Sequence, residues 1–246
     1  MPETAPAPMS LIPPQFTFAF QPVVNVATGE IVSFEALVRG PQGEPAWHVL
    51  QQVGPIDAQQ LDEQLRVEAI RLASVLGGAC RLNLNLMPRG REVSPTAIAT
   101  TLDMARQCGL APESITLEIT ESEILSDFTE FADAVSAHRD SGMHLALDDF
   151  GAGYAGLNLL AEFRPDAVKL DMQLVRGIEA HGARQAIVRG IQRTCADLGI
   201  DVIAKGVETD AEYSWFRREG FDLFQGFLFA RPALRHLPMA FYPPEP

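Results

Sequence analysis

The chain has 246 residues, 47% of them hydrophobic and 21% charged, the size and composition of one soluble domain with its own core. A formal net charge of −13 excludes a groove for a nucleic acid polymer, which needs clustered Lys and Arg, yet leaves room for a small anion held by local cations. No apolar run approaches the ~20 residues of a membrane helix, and the amino terminus has no signal-like core, so a cytoplasmic protein with no membrane partner is expected.

Residues 1–14, rich in Pro and Ala and without periodicity, read as a disordered arm, with the domain itself over 15–246. From Phe16 onward, short β-like runs alternate with helical patterns, the signature of βα units around a largely parallel sheet. In chain order the strands are expected at Phe18–Val24, Ile31–Val38, Cys80–Leu86, Ser114–Ile119, His144–Leu147, Ala167–Leu170, Asp201–Ala204 and Leu223–Phe224. Helical patterns cover Asp57–Leu76, Pro95–Cys108, Phe128–Asp140 and Ala211–Glu219. A further helix is marked by Ile187, Ile191, Cys195 and Leu198, whose spacing places them on one face. Only Ala27, Thr28 and Gly29 separate the first two strands, too few for a crossover helix, so that pair is expected as an antiparallel hairpin. The fold class that follows is α/β: a modified TIM-type (β/α)8 barrel with an antiparallel first strand.

In such barrels functional groups collect at the carboxyl ends of the strands. Those ends carry Glu35, Asn85, Glu118, Glu121, Asp148, Asp149, Lys169, Lys205 and Gln225, one or two on each strand after the first. A single acid there is more often a solvated strand end or a helix cap, but several converging without His or Cys repel one another unless Mg²⁺ or Mn²⁺ neutralises them. The adjacent Asp148 and Asp149 suit two such ions, able to activate a water and to stabilise in-line displacement at phosphorus. Directly after them, Phe150-Gly151-Ala152-Gly153-Tyr154 forms a glycine-flanked loop that can approach the site closely.

Over Phe16 to Pro232 the sequence resembles the EAL domains, cyclic di-GMP phosphodiesterases named for a tripeptide that stands here as Glu35-Ala36-Leu37, followed by Val38-Arg39. Asn85 in Asn-Leu-Met-Pro is similar to the family's strand-three asparagine, Glu118-Ile119-Thr120-Glu121 to its ExTE segment, and Asp148 to Tyr154 to its DDFGTGY loop. Lys169-Leu170-Asp171 resembles the KxD motif and Gln225-Gly226-Phe227 the QGY motif. The resemblance implies metal ligation by Glu35, Asn85, Glu118, Asp148 and Asp149, with two Mg²⁺ or Mn²⁺ ions. It implies that Lys169 orients or activates the attacking water, that Glu121 anchors the glycine loop, and that Leu37, Arg39, Asp171 and Gln225 meet the ligand. The implied reaction cleaves one phosphodiester bond of cyclic di-GMP to give linear pGpG. A homodimer or a regulatory protein partner stays open.

One departure bears on that chemistry. The family's AEGVET segment reads Ala204-Lys205-Gly206-Val207-Glu208-Thr209, so a cation replaces the glutamate of the metal and water shell and one ion site is expected to be weakened. Three outcomes are open: Lys205 swings toward solvent and leaves a slower phosphodiesterase, its ammonium takes a cation's place and leaves a receptor or interaction module, or Lys205 itself acts as a base. Ala152 and Ala155, for the usual Thr and Ser, remove hydroxyls but keep both glycines. The three cysteines, Cys80, Cys108 and Cys195, lack CxxC spacing and read as core filler, and the five histidines show no paired metal spacing. Of Phe221, Phe224, Phe227 and Phe229, most are expected in the core.

Overall fold

The computed structural model describes residues 15–52, 58–77, 81–86, 95–121, 141–153 and 156–245. The expected arm over 1–14, Cys80, the helix over 128–140, and Tyr154 with Ala155 lie outside them.

Eight strands form the barrel: β1 (Thr17–Asn25), β2 (Glu30–Arg39), β3 (Arg81–Asn85), β4 (Ile115–Thr120), β5 (His144–Phe150), β6 (Ala167–Leu170), β7 (Asp201–Lys205) and β8 (Leu223–Gln225). They run in the order β2 to β8, then β1, and the β1–β2 hairpin closes the ring. β1 is antiparallel to both neighbours, as its short turn requires, while β2 through β8 are parallel. A two-residue β9 (Ala233–Leu234), which the sequence pattern did not suggest, pairs with Ala19 and Phe20 of β1, whose Val24 and Asn25 pair with β8.

The helices are α1 (Ala46–Leu50), α2 (Ala58–Val75), α3 (Pro95–Gln107), α4 (Gly156–Phe163), α5 (Met172–Val175), α6 (Gly182–Leu198) and α7 (Asp210–Arg218). α1, α4 and α5 are short enough that periodicity gives little warning of them. On α6 the buried face differs from the expected one: Val188, Ile191 and Cys195 are buried, whereas Ile187 is 51% and Leu198 41% exposed. Steps of four advance about 40° around a helix. The buried stripe is centred between Ile191 and Cys195, which leaves Ile187 at its border, and Leu198 is the last helical residue.

Strand residues alternate between two environments. Leu82, Leu84, Leu117, Leu145, Leu147, Val168, Leu170 and Ala204 are buried in the core shared with the helices. The intervening residues point into the barrel, and they carry the polar chemistry. Beneath α7, the rings of Tyr213, Phe216, Phe221, Phe224 and Phe229 meet largely edge to face, placing three of the four expected phenylalanines in the core. Phe227 is exposed and stacks with Arg231. Among the described residues no helix is long and apolar enough to cross a membrane.

Candidate metal and ligand site

The parallel register delivers Glu35 from β2, Asn85 from β3, Glu118 from β4, Asp148 from β5, Lys169 from β6, Lys205 from β7 and Gln225 from β8 to one mouth of the barrel. Glu35, Glu118, Asp148, Lys169 and Gln225 are all buried. In a regular strand, Asp148 and Asp149 would face opposite sides. Here β5 carries one extra residue against β6 between Leu147 and Phe150, and Asp149 has φ +51. This bulge turns both carboxylates to the same mouth.

Two ammonium groups organise the acids. Lys169 Nζ donates to Glu35 Oε2 at 2.6 Å and to both oxygens of Glu118 at 2.8 Å. Gln225 Nε2 donates to Glu35 Oε2 at 2.7 Å, and Asn85 Nδ2 lies 3.4 Å from Glu35 Oε1. Lys205 Nζ donates to both oxygens of Asp148, at 2.7 and 2.6 Å, and to Asp149 Oδ1 at 3.0 Å.

The electrostatics separate the two glutamates. Burial opposes ionisation of Glu35, but Lys169, Lys205 and the hydrogen bonds from Lys169 and Gln225 outweigh it and hold its carboxyl at about 2. Glu118 is pushed up to about 8 by burial, with Glu35 and Asp148 adding to the push against the pull of Lys169. Negative charge at Glu118 is thus under-compensated. Burial works against the charge on Lys169, yet Glu118, Glu35 and Asp148 raise its pKa above the ordinary value, so it stays an ammonium. The same holds for Lys205, where Asp148 overrides burial. Neither lysine is set up to take a proton, which argues against Lys205 as a base.

Oxygens of Glu35, Glu118 and Asp148 lie within 4.8 Å of one another. Three hard donors around an under-compensated charge fit a cation such as Mg²⁺ or Mn²⁺. The space between Asp148 and Asp149 does not fit a second one, because Lys205 already fills it. Lys205 has not swung to solvent.

The remaining expected residues fall around this centre. Glu121 Oε2 accepts from the backbone N–H groups of Gly151 at 3.0 Å and Gly153 at 3.3 Å, the loop-anchoring contact. Leu37 and Arg39 line a cavity of about 310 Å³ beside Glu35 and Asn85. Burial lowers the Arg39 pKa, Glu35 opposing, and its Nη1 donates to Val38 O. Asp171 caps α5, its Oδ1 accepting from Gln173 N–H at 2.8 Å.

Two residues escaped the sequence reading. Asn83 Nδ2 donates to Glu118 Oε1 at 2.7 Å, and its place two residues before Asn85, on the same strand face, was the available signal. Arg66 lines the 310 Å³ cavity while bonded to Asp62 and Thr101. Nothing but its i, i+4 spacing from Asp62 marked it.

A closed α/β barrel with buried acids and lysines converging on its carboxyl-terminal mouth defines the class of site, a carboxylate cluster with the donors to hold a cation. The EAL domain model matches residues 8–232, and the chain belongs to the EAL domain family. It is 36% identical over 227 residues to the blue light- and temperature-regulated antirepressor BluF of Escherichia coli K12, covering 92% of this chain and 56% of that protein. The chain therefore spans about half the length of that relative. Among solved structures, a standalone EAL protein from Vibrio cholerae O395 in its c-di-GMP-bound form has a TM-score of 0.89 at 40% identity, covering 94% of this chain and 97% of that one. BlrP1 of Klebsiella pneumoniae, complexed with manganese and cyclic di-GMP at pH 9.0, has a TM-score of 0.86 at 41% identity, covering 96% and 60%.

Proposed function

We propose that this domain is a cyclic di-GMP receptor built on a phosphodiesterase framework, in which Lys205 suppresses hydrolysis. The observation that carries the reading is the set of three hydrogen bonds from Lys205 Nζ to Asp148 and Asp149, which puts a fixed positive charge where the family resemblance implies a second ion. Two relatives with 40% and 41% identity were solved with cyclic di-GMP, which supports the ligand.

In this reading Glu35, Glu118 and Asp148, with Asn85, hold one Mg²⁺ or Mn²⁺, which when bound polarises a phosphate oxygen. Leu37 and Arg39 line the wall where the dinucleotide lies, and Lys169, locked as an ammonium, holds Glu35 and Glu118 in place by donating hydrogen bonds to both. Gln225 fixes Glu35, and Glu121 fixes the loop from Gly151 to Gly153. The bound state would be read by a protein partner, in keeping with the antirepressor role named for BluF. A second reading, a slow phosphodiesterase yielding pGpG, is favoured by the intact Glu35, Glu118 and Asp148 cluster.

Calorimetry with cyclic di-GMP, alongside chromatography of products after incubation with Mn²⁺, separates the two. The receptor reading expects binding with no pGpG, and expects Lys205→Glu to gain turnover and to bind Mn²⁺ at least ~10-fold more tightly, since the change reverses a charge beside the ions. Mn²⁺-dependent pGpG from the native chain, unchanged in Lys205→Glu and lost in Asp148→Asn, would establish the slow enzyme instead. If no cyclic di-GMP binds, both readings fall.

A further inference from the structure

We propose that Asn83 is a positioning residue of the cation site: it occupies one oxygen of Glu118, so that this carboxylate offers an ion a single oxygen and the site favours Mg²⁺ or Mn²⁺ over Ca²⁺. The inference rests on the proposed reading of Glu35, Glu118 and Asp148 as holding a cation, and it adds the residue that decides which cation they prefer.

The strand register brings the contact about. Asn85 is the in-register neighbour of Glu118, and Asn83, two residues earlier on the same face of β3, lies one level deeper in the barrel. From there its Nδ2 donates to Glu118 Oε1 at 2.7 Å. The amide is held in this orientation, because turning it round would set Oδ1 against a carboxylate oxygen, acceptor facing acceptor. Asn83 is 3% exposed, and its Oδ1 has no hydrogen-bond partner among the described residues. A buried acceptor left unpaired is destabilising, and an aliphatic side chain at this depth would avoid it. What distinguishes the asparagine from such a side chain is the one donor aimed at Glu118.

That donor makes the two oxygens of Glu118 unequal. A carboxylate has about four lone-pair positions, shared between its oxygens. Oε1 accepts from both Asn83 and Lys169, whereas Oε2 accepts from Lys169 alone, so the open position is on Oε2. Lys169 does not impose this by itself, since its Nζ stands 2.8 Å from both oxygens. An ion between Glu35, Glu118 and Asp148 therefore meets one available oxygen of Glu118. Mg²⁺ and Mn²⁺ suit that supply, because their compact octahedral shells take single oxygens; Ca²⁺ gathers more ligands and commonly uses both oxygens of one carboxylate. Without the donor, Oε1 is freed and Glu118 can present both.

Calorimetric titration of Mn²⁺, and separately of Ca²⁺, into the native full chain and into Asn83→Leu tests the assignment. In Asn83→Leu, Mn²⁺ should bind roughly tenfold more weakly, the usual effect of removing a hydrogen-bond partner from a metal ligand. Ca²⁺ should weaken by less than about threefold, because the freed carboxylate can serve it with both oxygens. The preference for Mn²⁺ thus narrows. A merely structural role for Asn83 would weaken both ions alike or neither, and either result overturns the proposal. Should Asn83→Leu not fold, a crystal structure of the native chain with Mn²⁺ decides the matter: coordination by Glu118 through Oε2 alone, with Oε1 still on Asn83, supports it, and coordination through Oε1 or through both oxygens overturns it. If the native chain takes up no Mn²⁺, the cation site and this inference fall together, whereas Mn²⁺ uptake that Asn83→Leu leaves unchanged removes only the role of Asn83.

Discussion

At the scale of single residues, the site is an exercise in compensating buried negative charge. Glu35 and Glu118 share one lysine, yet burial and neighbouring acids push Glu118 up to about 8 while Glu35 is held at about 2. Glu35 is in the field of both lysines and accepts from Gln225, which favours its charged form, whereas burial and the nearby Glu35 and Asp148 oppose charge on Glu118. Glu121 does another job with the same chemistry, gathering the N–H groups of Gly151 and Gly153. Glu121→Gln should keep the fold while weakening those charge-assisted bonds, so hydrogen exchange at Gly151 and Gly153 should accelerate by roughly tenfold, equivalent to ~1.4 kcal/mol of local stability. Unchanged protection would remove Glu121 from the loop-anchoring role.

At the scale of elements, the loops that follow β6 and β7 are tied through one carboxylate. Glu212, on the first turn of α7, accepts from the N–H groups of Gly177, Glu208 and Thr209, and completes a capping box with Thr209. Burial raises its pKa, but those backbone donors prevail and the net shift is downward from 4.5. A carboxyl with a depressed folded pKa contributes stability above its unfolded value, and that contribution disappears as pH falls through the folded value. Thermal denaturation should therefore show Glu212→Gln less stable than the native chain at pH ~6, with the gap closing toward pH ~3. A gap independent of pH would assign the loss to shape rather than charge.

The junction of β7 and β8 depends on a glycine. A Cβ on Gly226 would come within 2.0 Å of Val207 O and 2.5 Å of Val207 N, atoms of the loop directly after Lys205. Because backbone rather than a flexible side chain occupies that space, Gly226→Ala should destabilise the fold by about 2 kcal/mol or more, read as a lower melting temperature. It should also shift the Lys205 backbone amide in the NMR spectrum. A melting temperature equal to that of the native chain would show that the loop can move away.

At the scale of the molecule, closing eight strands places acids from β2, β4 and β5 at the centre of a low-dielectric barrel, where unpaired charge is costly. Lys169 and Lys205 supply internal cations, so the barrel should fold without metal. EDTA should lower the melting temperature of the native chain only slightly, through loss of the single ion of the proposed site. The Lys205→Glu variant, with one internal cation replaced by an anion, should instead melt several degrees lower in EDTA and recover on adding Mn²⁺, since a ligand of the folded state stabilises it by mass action. Equal sensitivity of both proteins to EDTA would contradict the charge assignment.

Much of this architecture is local in origin. The eight strand runs, the hairpin forced by Ala27-Thr28-Gly29 and the collection of acids at strand ends follow from period-2 and turn chemistry, which neighbouring residues settle among themselves. The expected strand ends agree with the observed ones to one residue, except that β5 runs on to Phe150 through the bulge. That exception shows where local reasoning stops. Whether consecutive aspartates share a face depends on the register with β6, which buried face α6 presents depends on the barrel beneath it, and where Lys205 points depends on which charges the closed ring sets opposite it. By itself, then, the sequence determined the order of elements, the kinds of donor at the mouth and the anomalous lysine. Only the tertiary structure decided that Lys205 joins Asp148 to Asp149 and that Asn83 supports Glu118 from below. Each of these is a relation between strands far apart in the chain, fixed by long-range register and electrostatics that no short window of residues contains.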